Sequence, residues 1–452
     1  MEPLVQPTAE EITRLILEAR SRTLDLVGDF TDEQMIGPSL RIVNPPLWEI
    51  GHVAWFQEKW ALRHLRGEPA VRAECDGLYD SAAVAHDTRW NLLLPPRGET
   101  LDLMQTILDN VVERLGSGIP SRDEVYFHLL GLFHEDMHDE AFTYTRQTHG
   151  YPPPHLGHIT TVPTPGGGPY PGDAEVPGGT YLLGALPGGT GQFARDGSFV
   201  FDNEKWAHPV ELRPFKIARA AVTQSEFAAF VDDGGYREPR FWSEAGWNWR
   251  TAASADHPIY WQEDSSHRWH RRVFDQVVPL EPHKPVLHVN WYEAEAYCKW
   301  AGRRLPTEAE WEMAASAEPG GAEGSDVTQL SGWRKRRHPW GDEQPTPDRA
   351  NLDWLAMGCL DVGALPSGDS YFGCRQMLGN VWEWTADTFG PYPGFVIDPY
   401  KEYSQPWFGD QKVLRGGCWT TRSRLIRNTW RNFYTPDRRD VWGGFRTCAV
   451  DG

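Results

Sequence analysis

Apolar positions recur every three to four residues through residues 8–148, and the pattern predicts four amphipathic helices. The first, Glu10 to Val27, sets Ile12, Leu15, Ile16, Ala19, Thr23 and Val27 on one face. The second opens at Asn44-Pro45-Pro46, an N-cap candidate followed by proline at the first helical position, and runs to about Arg66, before Gly67. The third, Thr100 to Leu115, stacks Met104, Ile107, Leu108, Val111 and Leu115 and stops at Gly116. The fourth runs from Ser121 to about Gln147, ahead of Gly150 and Pro152. Four such helices make an up-down bundle with a side-chain-lined core. The connection from Gly67 to Glu99 is long for a bundle, and insertions of that length are more often functional or irregular than simple joins.

The helical period then stops. PPPHLGH and PTPGGGPYPG mark a semi-rigid linker over 151–178, which places a domain boundary between residues 1–150 and 179–452. Beyond it, short candidate strands (Gly179 to Leu183, Phe215 to Ile217, Val413 to Arg415, Gly443 to Ala449) alternate with glycine turns and aromatic clusters. Helical pieces are expected at Thr223 to Asp232, Trp291 to Ala301 and Thr307 to Ala317. In the last, Thr307 with Glu310 forms a capping box. The fold class is therefore a helical bundle followed by an α+β domain. With 22 tryptophans, most of them after residue 200, the core of that domain is expected to be largely aromatic.

Composition narrows the function. A length of 452 residues allows two or three domains. The net charge of −19 argues against a nucleic-acid partner, whose phosphates it would repel. No 18-residue apolar run exists, so no membrane span is expected. The first twenty residues also lack the basic-then-apolar order of a signal peptide. Six scattered cysteines without a CxxC pair suit free thiols in a reducing cytoplasm.

Candidate chemistry sits in the bundle. His134 and His138 in FHEDMH lie at i and i+4, on one face of the fourth helix and close enough to share a metal. Sixteen histidines in a chain this long give roughly half of one such pair by chance, so on its own the pair is better explained by core packing or a solvated pair than by a metal site. His52 changes that balance. It lies in NPPLWEIGHVAWFQE, on an inward face with Trp48, Trp55 and Phe56, where two ring nitrogens must be satisfied away from water. A metal shared with His134 and His138 would do so. Three neutral imidazoles leave coordination positions open, which suits Fe(II) or Zn(II). His128 is an alternative member, off the His134 face by about half a turn. His86, in the long loop, is expected to be solvated.

These residues carry a resemblance. His52 with the His134/His138 pair resembles the DinB-type iron-binding bundle of the ergothioneine-pathway sulfoxide synthases. The stretches VPGGTYLLG, FKIARAAVTQSEFAAFV, KPVLHVNWYEAEAYCKWAGRRLPTEAEWEMAA, MLGNVWEWTAD, KVLRGGCW and RNFYTPDRRDVWGGFR resemble the formylglycine-generating-enzyme fold, a C-type-lectin-like module. Together the two resemblances cover nearly the whole chain, in the synthases' domain order. They imply a non-haem Fe(II) enzyme that uses O2 to join sulfur or selenium to C2 of the hercynine imidazole, in a site between the domains. They imply an Asn-aromatic pair for hercynine, here Asn432-Phe433. They also imply a proton-donating tyrosine within PYPGFVIDPYKEYSQPWF: Tyr400 is the first candidate and Tyr392 the second, while alignment on Phe395 would leave the acid missing.

Departures from the ergothioneine pattern concern the chalcogen donor. Met137 stands where a hercynine-contacting Gln is usual. Tyr434 stands where an acid would hold the donor's ammonium, although Arg438 is kept. Arg89 and Arg97 in the long loop match no donor-binding arginine clearly. NPPLWEIGHVAWFQE is more similar to the selenoneine synthase branch, which uses a selenosugar. The expected partners are thus hercynine, O2 and a selenium or sulfur donor, with a selenosugar or thiosugar ahead of γ-glutamylcysteine. Other readings are a formylglycine-generating oxidase, a DinB-type thiol transferase bundle with a passive partner domain, and a binding module with a structural metal. The first is disfavoured because Cys418 and Cys448 are too far apart in sequence to make a close copper-binding pair.

Overall fold

The computed structural model describes residues 6–157, 166–188, 192–320 and 332–450. The chain divides into two units, residues 1–158 with 190–199, and residues 159–189 with 200–452.

The first unit is helical. Helix α1 (Ala9–Val27) starts on a Thr8/Glu11 capping box. The short α2 (Asp32–Ile36) precedes α3 (Pro46–Gln57), which runs on as a π-helical turn, Glu58–His64. Next come α4 (Cys75–Tyr79), α5 (Arg97–Leu115) and α6 (Arg122–His149). Helix α6 begins on a Ser121/Glu124 box and ends at Gly150 with φ 70°, the left-handed conformation that glycine adopts without penalty. Helices α1 and α6 pack together, and α3 packs on both α5 and α6. All twelve residues of α3 are buried, so it is the bundle's inner helix.

Two expectations in this unit, on Asn44 and on His86, need correction. The N-cap of α3 is Pro45, not Asn44, and no side chain caps it; Asn44 Oδ1 instead accepts from Arg89 Nη1 at 2.6 Å. The α1 core face also carries charge. Buried Arg20 donates to Glu135 (2.8 Å), Gln57 (3.1 Å) and the Met104 carbonyl (2.9 Å), which ties α1 to α3, α5 and α6. His86 is half-buried rather than solvated: Nε2 donates to the Val43 carbonyl at 2.8 Å and braces the entry to α3.

In the second unit, β1 (Asp173–Val176), β2 (Gly179–Leu183), β3 (His208–Leu212) and β4 (Phe215–Ala218) precede α7 (Gln224–Asp232) and α8 (Glu244–Ala252). A three-stranded meander follows, β5 (Trp261–Glu263), β6 (Trp269–Val273) and β7 (Gln276–Pro279). Then come α9 (Trp291–Trp300), β8 (Arg303–Arg304), α10 (Glu308–Ser316), β9 (Ala317–Pro319) and β10 (Trp333–Lys335). The chain closes with β11 (Trp382–Thr388), β12 (Lys412–Arg415), β13 (Arg431–Tyr434), β14 (Gly443–Gly444) and β15 (Cys448–Ala449). The two four-stranded sheets have orders β1-β4-β15-β8 and β13-β12-β11-β14.

The expected strand from Gly443 to Ala449 is therefore two strands in different sheets. β14 pairs parallel with β11, and β15 pairs antiparallel with β4 and β8. Between them Arg446 is fully buried and donates to Glu383 (2.6 and 2.7 Å), a carboxylate that also accepts from Trp311 Nε1 (2.7 Å). That pairing turns the chain out of one ladder into the other. The segment 151–178 is not linker throughout, because β1 pairs along its length with β4. The domain boundary is also not a single point. Phe193 and Phe199, which form an antiparallel bridge, pack on Tyr126 of α6 and belong to the first unit.

The core of the second unit holds Trp311, Trp354, Trp382, Trp384 and Trp419, each almost fully buried. Rings of this size each remove about 150–250 Å² from water, which lets a unit with little regular structure hold together.

Candidate metal centre

Helices α3 and α6 converge on three imidazoles. One ligand nitrogen from each of His52, His134 and His138 lies within 4.8 Å of the other two. The ring centroids are 5.0 Å apart for His52–His134 and for His52–His138, and 4.5 Å for His134–His138. His128 is outside this group; its Nδ1 donates one helical turn back, to the Glu124 carbonyl at 2.7 Å.

Each ring is held from outside the cluster. His52 stacks on Trp48 at 4.8 Å, and its Nδ1 lies 2.7 Å from the Tyr79 carbonyl. A carbonyl only accepts, so Nδ1 carries the proton and Nε2 keeps its lone pair. His138 Nδ1 donates to Glu49 Oε1 at 2.5 Å, with the same consequence. His134 stacks flat on Phe56 at 3.6 Å. Burial pushes His52 and His134 well below the usual histidine range, and the neighbouring imidazoles push the same way. Three converging imidazole nitrogens, two of them on rings whose tautomer is fixed by an outer acceptor, are what a divalent transition metal requires, so the donor set fits an ion such as Fe(II). The site has one open side. From Leu130 to Thr143 every residue of α6 is buried except Met137 and His138.

Arg89 lies over the Trp48 ring at 3.9 Å and donates to Asn44 and to the Val84 carbonyl. Burial lowers its pKa to about 10. Arg97 donates to the Val27, Gly28 and Phe30 carbonyls at the end of α1.

The other sequence-predicted residues lie in the second unit. Asn432, Phe433 and Tyr434 are the half-exposed residues of β13, beside β12. The Phe433 N–H donates to Asn432 Oδ1 at 2.8 Å, and the Phe433 ring stacks on Phe389 at 4.0 Å. Tyr403 packs edge-on to Phe433 at 5.9 Å, and Tyr400 lies 5.8 Å from Tyr403, so the loop carrying Tyr400 meets the Asn432-Phe433 pair through one ring. This loop is anchored at Ser404, whose hydroxyl donates to buried Asp202, and at Asp398, which pairs with Lys205 at 2.6 Å. Tyr392 is placed differently. It is buried, its hydroxyl donates to Glu308 at 3.2 Å, and Arg431 covers its ring. Arg438 donates through two nitrogens to Asp440, both at 2.6 Å, and lies over Tyr434.

A family model of the DinB superfamily matches residues 15–141, and a model of the sulfatase-modifying factor enzyme 1-like domain matches residues 162–450. Hercynine oxygenase from Mycolicibacterium thermoresistibile is 36% identical over 455 residues, covering 99% of this chain and 96% of its own. The hercynine oxygenase of Mycobacterium tuberculosis is 35% identical over 442 residues, 97% of this chain and 98% of its own. The chain belongs to the hercynine oxygenase family. It is an oxidoreductase of that type, and its helical bundle followed by a mixed α+β domain is the expected fold class. Formylglycine-generating enzyme from Streptomyces coelicolor is 36% identical over 320 residues, which covers 64% of this chain.

Sequence reasoning overlooked two residues of this hercynine oxygenase family member, Glu49 and Tyr79, whose oxygens accept from His138 and His52. A signal for the first was present. Glu49 is the one acidic residue among the twelve buried residues of α3, and a buried carboxylate must find a donor. His138 is that donor, so Glu49→Gln should weaken Fe(II) binding by about 10–100-fold, the usual cost of losing such an outer hydrogen-bond partner. An anaerobic Fe(II) titration checks this, and wild-type affinity would remove Glu49 from the site.

Proposed function

We propose that the protein is an Fe(II)- and O2-dependent enzyme that forms a C–Se or C–S bond at C2 of the hercynine imidazole, with a selenosugar as the favoured donor. The three-histidine cluster supports the metal: His52, His134 and His138 would hold Fe(II), with Glu49 and the Tyr79 carbonyl fixing the tautomers of His138 and His52. Bound there, Fe(II) supplies the site at which O2 is activated. Relatives named hercynine oxygenase, matched over nearly their full length, support hercynine as the acceptor. Asn432 and Phe433 would bind it, Met137 would line the opening beside His138, and Tyr400 would donate the proton. With its hydroxyl on Glu308, Tyr392 serves the scaffold. Six buried cysteines, none in a disulfide, suit a cytoplasmic setting.

The donor reading rests on one observation. The arginines available for a dipeptide's carboxylates are already engaged: Arg438 by Asp440, Arg89 by Asn44 and Trp48, and Arg97 by three carbonyls. A dipeptide donor would bring two carboxylates and an ammonium, each needing a charged partner once desolvated. A sugar carries charge only on its chalcogen and asks for hydroxyl-directed hydrogen bonds and aromatic faces, such as Tyr434. Enzyme, Fe(II), O2 and hercynine should therefore give a C–Se or C–S adduct, read by mass, with selenoglucose or thioglucose. Fast turnover with γ-glutamylcysteine or cysteine and none with the sugars would make the chain an ergothioneine-type sulfoxide synthase.

A further inference from the structure

The segment between α3 and α5 folds back on α3 through α4, and three aromatic N–H groups of α3 end on that short helix. Trp48 Nε1 donates to the Leu78 carbonyl, His52 Nδ1 to the Tyr79 carbonyl and Trp55 Nε1 to Asp76 Oδ1, each at 2.7 Å. Gly51 lies under the contact. A Cβ at that position would sit 2.2 Å from Tyr79 Cε1, 2.4 Å from Cζ and 2.8 Å from the hydroxyl oxygen. Tyr79 is fully buried, so its ring has no free space to swing into. Glycine inside a helix costs about 1 kcal/mol relative to alanine, and here it allows an aromatic ring to lie directly against the helix backbone.

We propose that α4 is the positioning element for the metal ligand His52. Gly51 leaves room for the Tyr79 ring, so that α4 closes on α3 with the Tyr79 backbone carbonyl against His52, and that carbonyl holds His52 with Nε2 turned to the ion. The proposal rests on the reading of His52, His134 and His138 as a metal site. Gly51 and Tyr79 are positioning residues that act on the ion through His52. The long connection thereby acquires a role: it supplies the outer hydrogen bond of one ligand, as Glu49 does for another.

The test is a Co(II) titration of the full chain, read as affinity and as the visible d–d spectrum, with far-UV circular dichroism in parallel. Gly51→Ala should keep or raise helicity, weaken Co(II) binding by about 10–100-fold and change the d–d bands. The double variant Gly51→Ala/Tyr79→Leu, which removes the clashing ring, should recover most of the affinity. Wild-type affinity and spectrum in Gly51→Ala would overturn the proposal. So would equally weak binding in the single and double variants, because the added methyl group would then act by some route other than Tyr79. His52→Ala is the separate control: undiminished Co(II) binding there would overturn the metal reading itself, and the proposal with it.

Discussion

His134→Ala is expected to lower iron occupancy and turnover together, by more than the ~100-fold reached when only an outer partner of a metal ligand is lost. The residue is buried within the cluster, stacked on Phe56 and 4.5 Å from the His138 ring. Removing it leaves two imidazoles from two helices and opens a gap beside Phe56 that water can enter. His52→Ala and His138→Ala should behave alike, because each removes one of three donor nitrogens. Metal analysis of anaerobically purified protein, followed by turnover with added Fe(II), separates lost binding from lost chemistry. Full iron occupancy in any of the three variants would take that histidine out of the ligand set.

Glu312→Gln is expected to have the largest effect on stability, at about 3–5 kcal/mol. Glu312 is fully buried on α10. It accepts from Arg415 Nη2 at 2.5 Å, from Lys335, from the Tyr181 hydroxyl at 3.1 Å and from the Gly184 N–H at 3.0 Å. Burial raises its pKa, but Lys335 and Arg415 outweigh that and hold the carboxyl at about 2. A neutral amide would leave Lys335 buried without its anion and Arg415 with Glu308, reached at 2.7 Å, as its one remaining carboxylate beside the Asn428 carbonyl. The pH dependence follows. A carboxyl depressed from 4.5 to about 2 contributes its full stability above pH 4.5 and loses it as pH falls toward 2. Urea unfolding of wild type and Glu312→Gln should therefore show a wide gap at neutral pH that narrows across that window. A constant gap would mean that the amide acts through shape rather than charge.

Local patterns in the sequence were enough for several elements. Helix α5 and the second half of α6 follow from a 3.6-residue apolar repeat ended by Gly116 and Gly150. Helix α10 follows from the Thr307/Glu310 box. His134 and His138 share a face because helical geometry alone sets that spacing. The strand from Gly443 to Ala449 could not be resolved the same way. Its break depends on Arg446 meeting Glu383, sixty-three residues away in the chain. Asn44 had the chemistry of an N-cap, but the fold drew its side chain to Arg89. Helix α4 carries no periodic signal in five residues, and it forms where Trp48, His52 and Trp55 supply donors for its backbone and for Asp76.

By itself, then, the sequence determined the helical period of the bundle, the switch to short aromatic strands, the pairing of His134 with His138 and the family signature, because each is encoded in residues close together along the chain. Only the tertiary structure decided which nitrogen of His52 and of His138 is left for a metal, and which arginines are already engaged. Those outcomes depend on partners such as Tyr79, Glu49, Asp440 and Trp48. A buried hydrogen bond or ring stack is chosen by proximity in space, and a one-dimensional pattern does not encode that proximity.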